Sequence, residues 1–207
     1  MDLNALTAFL QAGGPAMWAI AALSVLTATL VMWKVWRLAL AGVWSSAPDA
    51  ALSVWAAGDR SAVDQVTGKG LLARLTRLAM QSRLDPALGE KAAREEVTIA
   101  AKSMIADVRG GLRALELIVT IAPLLGLFGT VLGMIEAFQT LQAAGSRADP
   151  SALAGGIWEA LLTTAAGMGV AIPAAMALSW FDGTAERFQT RLEEVATKVF
   201  TRGPTSE

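Results

Sequence analysis

Three long runs without a charged side chain set what this 207-residue chain can fold into: Leu3–Trp33, Leu117–Ile135 and Ala160–Phe181. Each reaches or exceeds the roughly 18 residues that mark a candidate membrane-spanning helix. A mean hydropathy of +0.49 agrees with that reading. The pattern predicts an all-α integral membrane protein with three transmembrane helices, two of them long and extending into the cytoplasm. The spans are expected near residues 15–41, 113–141 and 152–181. Residues 1–14 then form an outer N-terminal segment, 42–112 a cytoplasmic helical region, 142–151 an outer loop and 182–207 a cytoplasmic C-terminal helix and tail. Met1-Asp2-Leu3 lacks the positive charge that opens a cleavable signal peptide, and the first run exceeds the ~7–15 residues of a signal's apolar core. The first span is therefore expected to stay in the mature protein.

Absent residue types narrow the chemistry. With no Cys and no His there is no thiolate, no imidazole base and no zinc site. Intramembrane proteolysis needs Ser with His, paired membrane Asp residues or an HExxH helix, and no Asp falls in the charge-free runs. The chain is expected not to be an enzyme, to have no catalytic residues and to bind no metal or cofactor. Its net charge of −1 also argues against nucleic acid as a partner.

The basic residues are distributed unevenly. Counting along the predicted spans, 16 of the 17 Lys and Arg residues fall on one side, and Arg147 alone lies between spans two and three. By the positive-inside rule this orients the N-terminus outside and the C-terminus inside. Trp18 and Trp158 near the outer ends, and Trp33, Trp36, Trp44 and Trp180 near the inner ones, fit an aromatic belt; Trp55 is an exception. Between the first two spans, Leu71, Leu72, Leu75, Leu78 and Ala79 recur at helical spacing with Arg74 and Arg77 on the other face. Such an amphipathic helix must pack on something. From Pro86 the helical pattern continues with Glu90/Arg94 and Lys91/Glu95 at i,i+4. Only Gly110-Gly111 interrupts it before span two; a continuous helix to about Leu141 has ~55 residues and extends ~80 Å. The third span likewise meets no stop before Gly203-Pro204, and its extension carries Phe188, Leu192, Val195 and Val199.

Glu159 is the chemically conspicuous residue, because the surrounding run 153–174 is otherwise apolar, small or hydroxylated. A carboxylate at bilayer depth costs roughly 2.5–3.5 kcal/mol on insertion scales, so it marks a functional site unless it snorkels to a nearby surface. Gly155, Glu159, Thr163 and Gly167 step by four, and Gly156 and Thr164 border that stripe. A carboxyl followed one turn later by hydroxyls, with glycines on either side, suits a narrow hydrated path for a small cation. Thr163 and Thr164 are alternatively packing residues. In span two, Ala122, Gly126, Thr130, Gly133 and Ala137 share a face, with Gly129 adding a second small step. A face of this kind lets another helix approach closely, since packing drives association in lipid. Thr130 is either part of the path or satisfied on its own helix. Glu136 is either interfacial or part of an outer vestibule. Pro173 predicts a kink further along.

The runs APLLGLFGTVLGMIEAF and GGIWEALLTTAAGMGVAIPA resemble the paired signatures of the MotA/TolQ/ExbB proton-channel family, and FLQAGGPAMWAIAALSV resembles its ExbB branch. The resemblance covers essentially the whole chain. It implies a bacterial inner-membrane, multi-pass subunit of a homo-oligomer, a pentamer, around a small ExbD/TolR-like single-span partner whose membrane Asp carries the ion. The function it implies is use of the proton motive force to energise a TonB-like transducer that opens outer-membrane transporters. It maps the family's membrane glutamate to Glu159, its second-span threonine to Thr130 and its third-span threonine to Thr164; Thr163 is an additional hydroxyl. TolQ shares the core, so service in the Tol envelope-integrity motor is the alternative. A non-conducting scaffold, with Glu159 salt-bridged, is a different class. A solute carrier is weakened by the lack of an inverted repeat.

Overall fold

The computed structural model describes residues 13–45, 48–145 and 149–204, with Thr7, Leu10 and Gln11. Arg147, the single basic residue expected outside, lies beyond the described residues, as does most of the N-terminal segment. The helices are α1 (Gly14–Leu40), α2 (Asp49–Ala56), α3 (Ala62–Gln65), α4 (Leu71–Leu84), α5 (Glu90–Arg109), α6 (Leu112–Ala144) and α7 (Pro150–Arg202). No strand occurs among the described residues. The chain is an all-helical membrane protein, with three stretches, containing α1, α6 and α7, long and apolar enough to cross a bilayer.

Two compact units divide the chain. The first takes residues 1–32 and 111–179, and the second takes 33–110 and 180–207. Both α1 and α7 contribute to each unit. At ~1.5 Å per residue the 53 residues of α7 extend ~80 Å, more than twice the ~30 Å hydrocarbon core. Pro173 lies inside α7 without ending it.

In the first unit, α6 and α7 touch through their smallest residues. A methyl group placed on Gly126 lies 2.9 Å from the Thr163 carbonyl oxygen, and one on Gly167 lies 2.6 Å from that of Ala122. One on Gly133 is 2.9 Å from the Ala160 Cβ, and one on Gly156 is 2.7 Å from the Ala137 Cβ. None of these positions accepts a side chain without moving a helix. The small face predicted to draw helices together is therefore occupied by a helix of the same chain. A Cβ on Gly155 meets nothing within 4 Å, so within one chain Gly155 takes no part in the contact between α6 and α7. The opposite side of α6 leaves Leu117, Ile121, Leu124, Phe128, Val131, Ile135 and Phe138 exposed, the apolar surface a bilayer accepts.

The second unit is held by donors aimed at backbone carbonyls. The predicted 55-residue helix is divided: α5 ends at Arg109 and α6 begins at Leu112, with Gly111 at φ 87°, a left-handed conformation that glycine supplies. Orphan carbonyls at that end find a donor in Lys34, which is 2% exposed and hydrogen-bonds the Val108 carbonyl at 2.6 Å and that of Gly110. Trp55, the tryptophan outside the aromatic belt, is fully buried and donates Nε1–H to the Val199 carbonyl at 3.0 Å. Arg83 reaches the carbonyls of Phe200, Gly203 and Pro204 at the C-terminal end of α7, where the helix dipole favours a cation. Arg83 and Arg94 also lie over the Phe200 ring, at 5.7 and 4.8 Å. The amphipathic α4 buries Leu72, Leu75, Ala79 and Met80 and packs against α5.

Candidate ion site

A cavity of about 320 Å³ opens in the first unit, between the C-terminal half of α6, the first turns of α7 and residues 13–16. Glu159 and Thr163 line it from α7, and Gly129, Gly133, Glu136 and Thr140 line it from α6. Glu159 is exposed on the isolated chain, and no hydrogen bond or ion pair to another described residue holds it. Its neighbour Trp158 is 67% exposed. The carboxylate thus stands at the surface of a spanning helix and faces a recess, rather than being buried inside the chain.

Thr163 is the most enclosed of the predicted hydroxyls, at 1% exposure. Its Oγ1 lies 2.7 Å from the Ala160 carbonyl and 3.1 Å from the Gly126 carbonyl, so one proton serves an acceptor on its own helix and one on α6. A methyl on Gly129 falls 2.5 Å from that oxygen, which explains why glycine stands opposite it. Thr163 lines the cavity and joins the two helices.

Thr130 and Thr164 are not among the cavity walls. Thr130 donates to the Leu127 carbonyl at 2.6 Å, an acceptor one turn back on its own helix. Thr164 sits 140° around α7 from Glu159 by helical geometry, at about 100° per residue. Its Oγ1 is buried and, among the described residues, is the one buried side-chain oxygen without a hydrogen-bond partner. Buried hydroxyls are nearly always paired, so this atom has unused capacity.

Glu136 is the residue whose place the sequence left open. Gly129, Gly133, Glu136 and Thr140 step by four, three and four, so the small-residue stripe of α6 leads directly to it. That spacing was a usable signal. The wall formed by Gly13, Gly14, Pro15 and Ala16 had none, because nothing in the first turn of a helix names the other helices it will meet. Among the described residues no group of three or more His, Cys, Asp or Glu side chains forms a metal site.

These features define a class: a polytopic helical membrane protein with a carboxylate at a recess between two closely packed spans. The sequence profile of the MotA/TolQ/ExbB proton channel family matches residues 67–194, more than half of the chain, and the protein belongs to that family. Biopolymer transport protein exbB1 of Vibrio cholerae is 44% identical over 89 residues, 43% of this chain and 39% of that protein. Biopolymer transport protein ExbB of Neisseria gonorrhoeae is 38% identical over 92 residues, 44% of this chain and 41% of that protein. Tol-Pal system protein TolQ of Pseudomonas aeruginosa is 30% identical over 151 residues, 71% of this chain and 64% of that protein. These matches cover between 39% and 64% of the relatives' lengths.

Proposed function

We propose that this protein is an ExbB-like subunit of a proton-driven motor in a bacterial inner membrane, with Glu159 as the group that couples ion movement to work. The observation that carries the reading is an unpaired carboxylate on a spanning helix, at a cavity between the two spans that hold the family signatures. A carboxylate left without an internal cation at bilayer depth costs roughly 2.5–3.5 kcal/mol, and it is retained where it takes up and gives back a cation. Thr130 and Thr164 serve the path from neighbouring faces; the unpaired Thr164 hydroxyl supports that role because it is free to bond a water or an ion. Thr163, with Gly126, Gly129, Gly133, Gly156 and Gly167, holds α6 against α7.

The partners that complete such a motor are further copies of this chain, a pentamer by resemblance, an ExbD/TolR-like single-span protein with a membrane Asp, and a TonB-like transducer. The N-terminus lies on the periplasmic side, a reading supported by the 16-to-1 split of basic residues. A Cys introduced by Lys69→Cys or Arg202→Cys is then labelled by an impermeant maleimide only after lysis; labelling of position 69 in intact spheroplasts overturns the orientation.

Tol service is the second reading, favoured by the TolQ match over 71% of the chain against 43% for exbB1. Deletion separates the two: loss of TonB-type uptake with an intact envelope supports the first, and envelope leakage with normal uptake supports the second. The coupling role itself is tested by Glu159→Gln, which keeps shape but cannot titrate. The variant is expected to co-purify with the single-span partner and to fail in uptake-dependent growth. Wild-type growth contradicts ion coupling, and loss of the partner together with growth favours a scaffold.

A further inference from the structure

We infer that Glu136 is a second working carboxylate of this site, a collector at the outer end of the cavity that concentrates cations for Glu159. The inference rests on the ion-coupling reading above and assigns a role to a residue on the other span.

Four observations carry it. Glu136 and Glu159 come from different helices and line one cavity. Among the described residues no Lys or Arg is part of its walls, so no described cation stands beside the two carboxylates there. The Glu136 carboxylate makes no hydrogen bond or ion pair to a described residue; the bond at that position, from Thr140 Oγ1 at 2.9 Å, goes to its backbone carbonyl. Finally, Thr163 is the last residue of α7 to line the cavity, and beyond it Gly126 and Gly167 bring the backbones of α6 and α7 so close that they leave no gap between the two helices. A cation that enters cannot continue inward between these helices and must leave from Glu159 at the exposed surface of α7. The recess is therefore a vestibule rather than a pore, and its use lies in how strongly it fills. A low-dielectric cleft lined by one sign of charge focuses the field and raises local counter-ion concentration. Two carboxylates there do so more strongly than one, and Glu136 is the one that α7 does not supply.

The test uses the complex purified from native membrane with its co-purifying partner, reconstituted in vesicles, with proton flux read by a lumenal pH-sensitive dye. Glu136→Gln is expected to slow flux on the order of 3- to 10-fold at about 10 mM salt, where charges act over ~30 Å, and to approach wild type at about 1 M, where they act over ~3 Å. Glu136→Lys is expected to slow it further, and Glu136→Asp to restore it. Thr140→Lys, which sets a cation on the same wall without touching Glu136, is expected to reproduce the low-salt deficit. Glu116→Gln, an exposed carboxylate near the start of α6 and away from the cavity, is the neutral control. If Glu136→Gln and Thr140→Lys both conduct like wild type at low salt while Glu159→Gln does not conduct, Glu136 is an interfacial residue and the inference is wrong. If Glu159→Gln also conducts, the coupling reading itself fails.

Discussion

Between Ala122 and Gly167, α6 meets α7 through glycine, alanine and the two threonines Thr163 and Thr164, and no charged group takes part. Where the far end of α7 meets α2 and α4, the contact is made by Trp55 and Arg83 donating to backbone carbonyls, with Phe200 sandwiched against Arg83 and Arg94. The difference follows from the solvent each region meets. In lipid, apolar surface gains nothing by leaving its surroundings, so helices associate through close packing and a few interior hydrogen bonds. Outside lipid, long charged side chains keep their heads hydrated while their stems cover apolar surface, and helix ends offer carbonyls that need donors. A carboxylate without a partner is ordinary in the second setting and expensive in the first, which is why Glu159 and Glu136 carry information that Glu193 or Glu194 do not.

Substitutions that exchange one region's chemistry for the other's test this contrast. The largest effect is expected from Gly167→Leu, whose first carbon already lies 2.6 Å from the Ala122 carbonyl oxygen. The helices must separate, and a cost of about 3 kcal/mol or more is expected, read as loss of accumulated, protease-resistant protein in the membrane. Next comes Lys34→Met, which keeps the buried volume but strips the Val108 and Gly110 carbonyls of their donor. About 2 kcal/mol of stability should be lost in thermal unfolding in detergent. Trp55→Phe removes one hydrogen bond to Val199 and part of a fully buried ring, and should cost roughly 1–2 kcal/mol in the same measurement. Gly155→Ala should be the smallest, within about 0.5 kcal/mol of wild type, because a Cβ there meets open space. A large loss at Gly155 would place it in the packing that the structure denies it.

The spans were legible in the sequence because charge is excluded from them over whole runs, a signal independent of any partner. The small face of α6 was legible too, but not its occupant. A stripe of Gly126, Gly129 and Gly133 says that a helix comes close, and only the fold says that the helix is α7 of the same chain. Gly155 shows the same limit: it lies one turn from Glu159 on a glycine-marked stripe, and within one chain it lines the cavity instead of meeting α6. Gly110-Gly111 stood out as the one interruption, but the break depends on a donor 74 or more positions away in sequence, which no local pattern announces. The candidate site was half legible. Glu159 and Thr163 belong to one stripe and stay together, whereas Thr130 and Thr164 lie off the cavity, and Glu136 joins it because α6 and α7 cross where they do.

In the function proposed above, Glu159 couples ion movement to work, while the packing around it holds the site open. Proton flux through the reconstituted complex tests it most directly, comparing wild type with Glu159→Gln under an imposed pH gradient and membrane potential. The expected result is an assembled complex of unchanged size and partner content whose flux falls to that of protein-free vesicles. Flux at the wild-type rate through the Gln variant would contradict it.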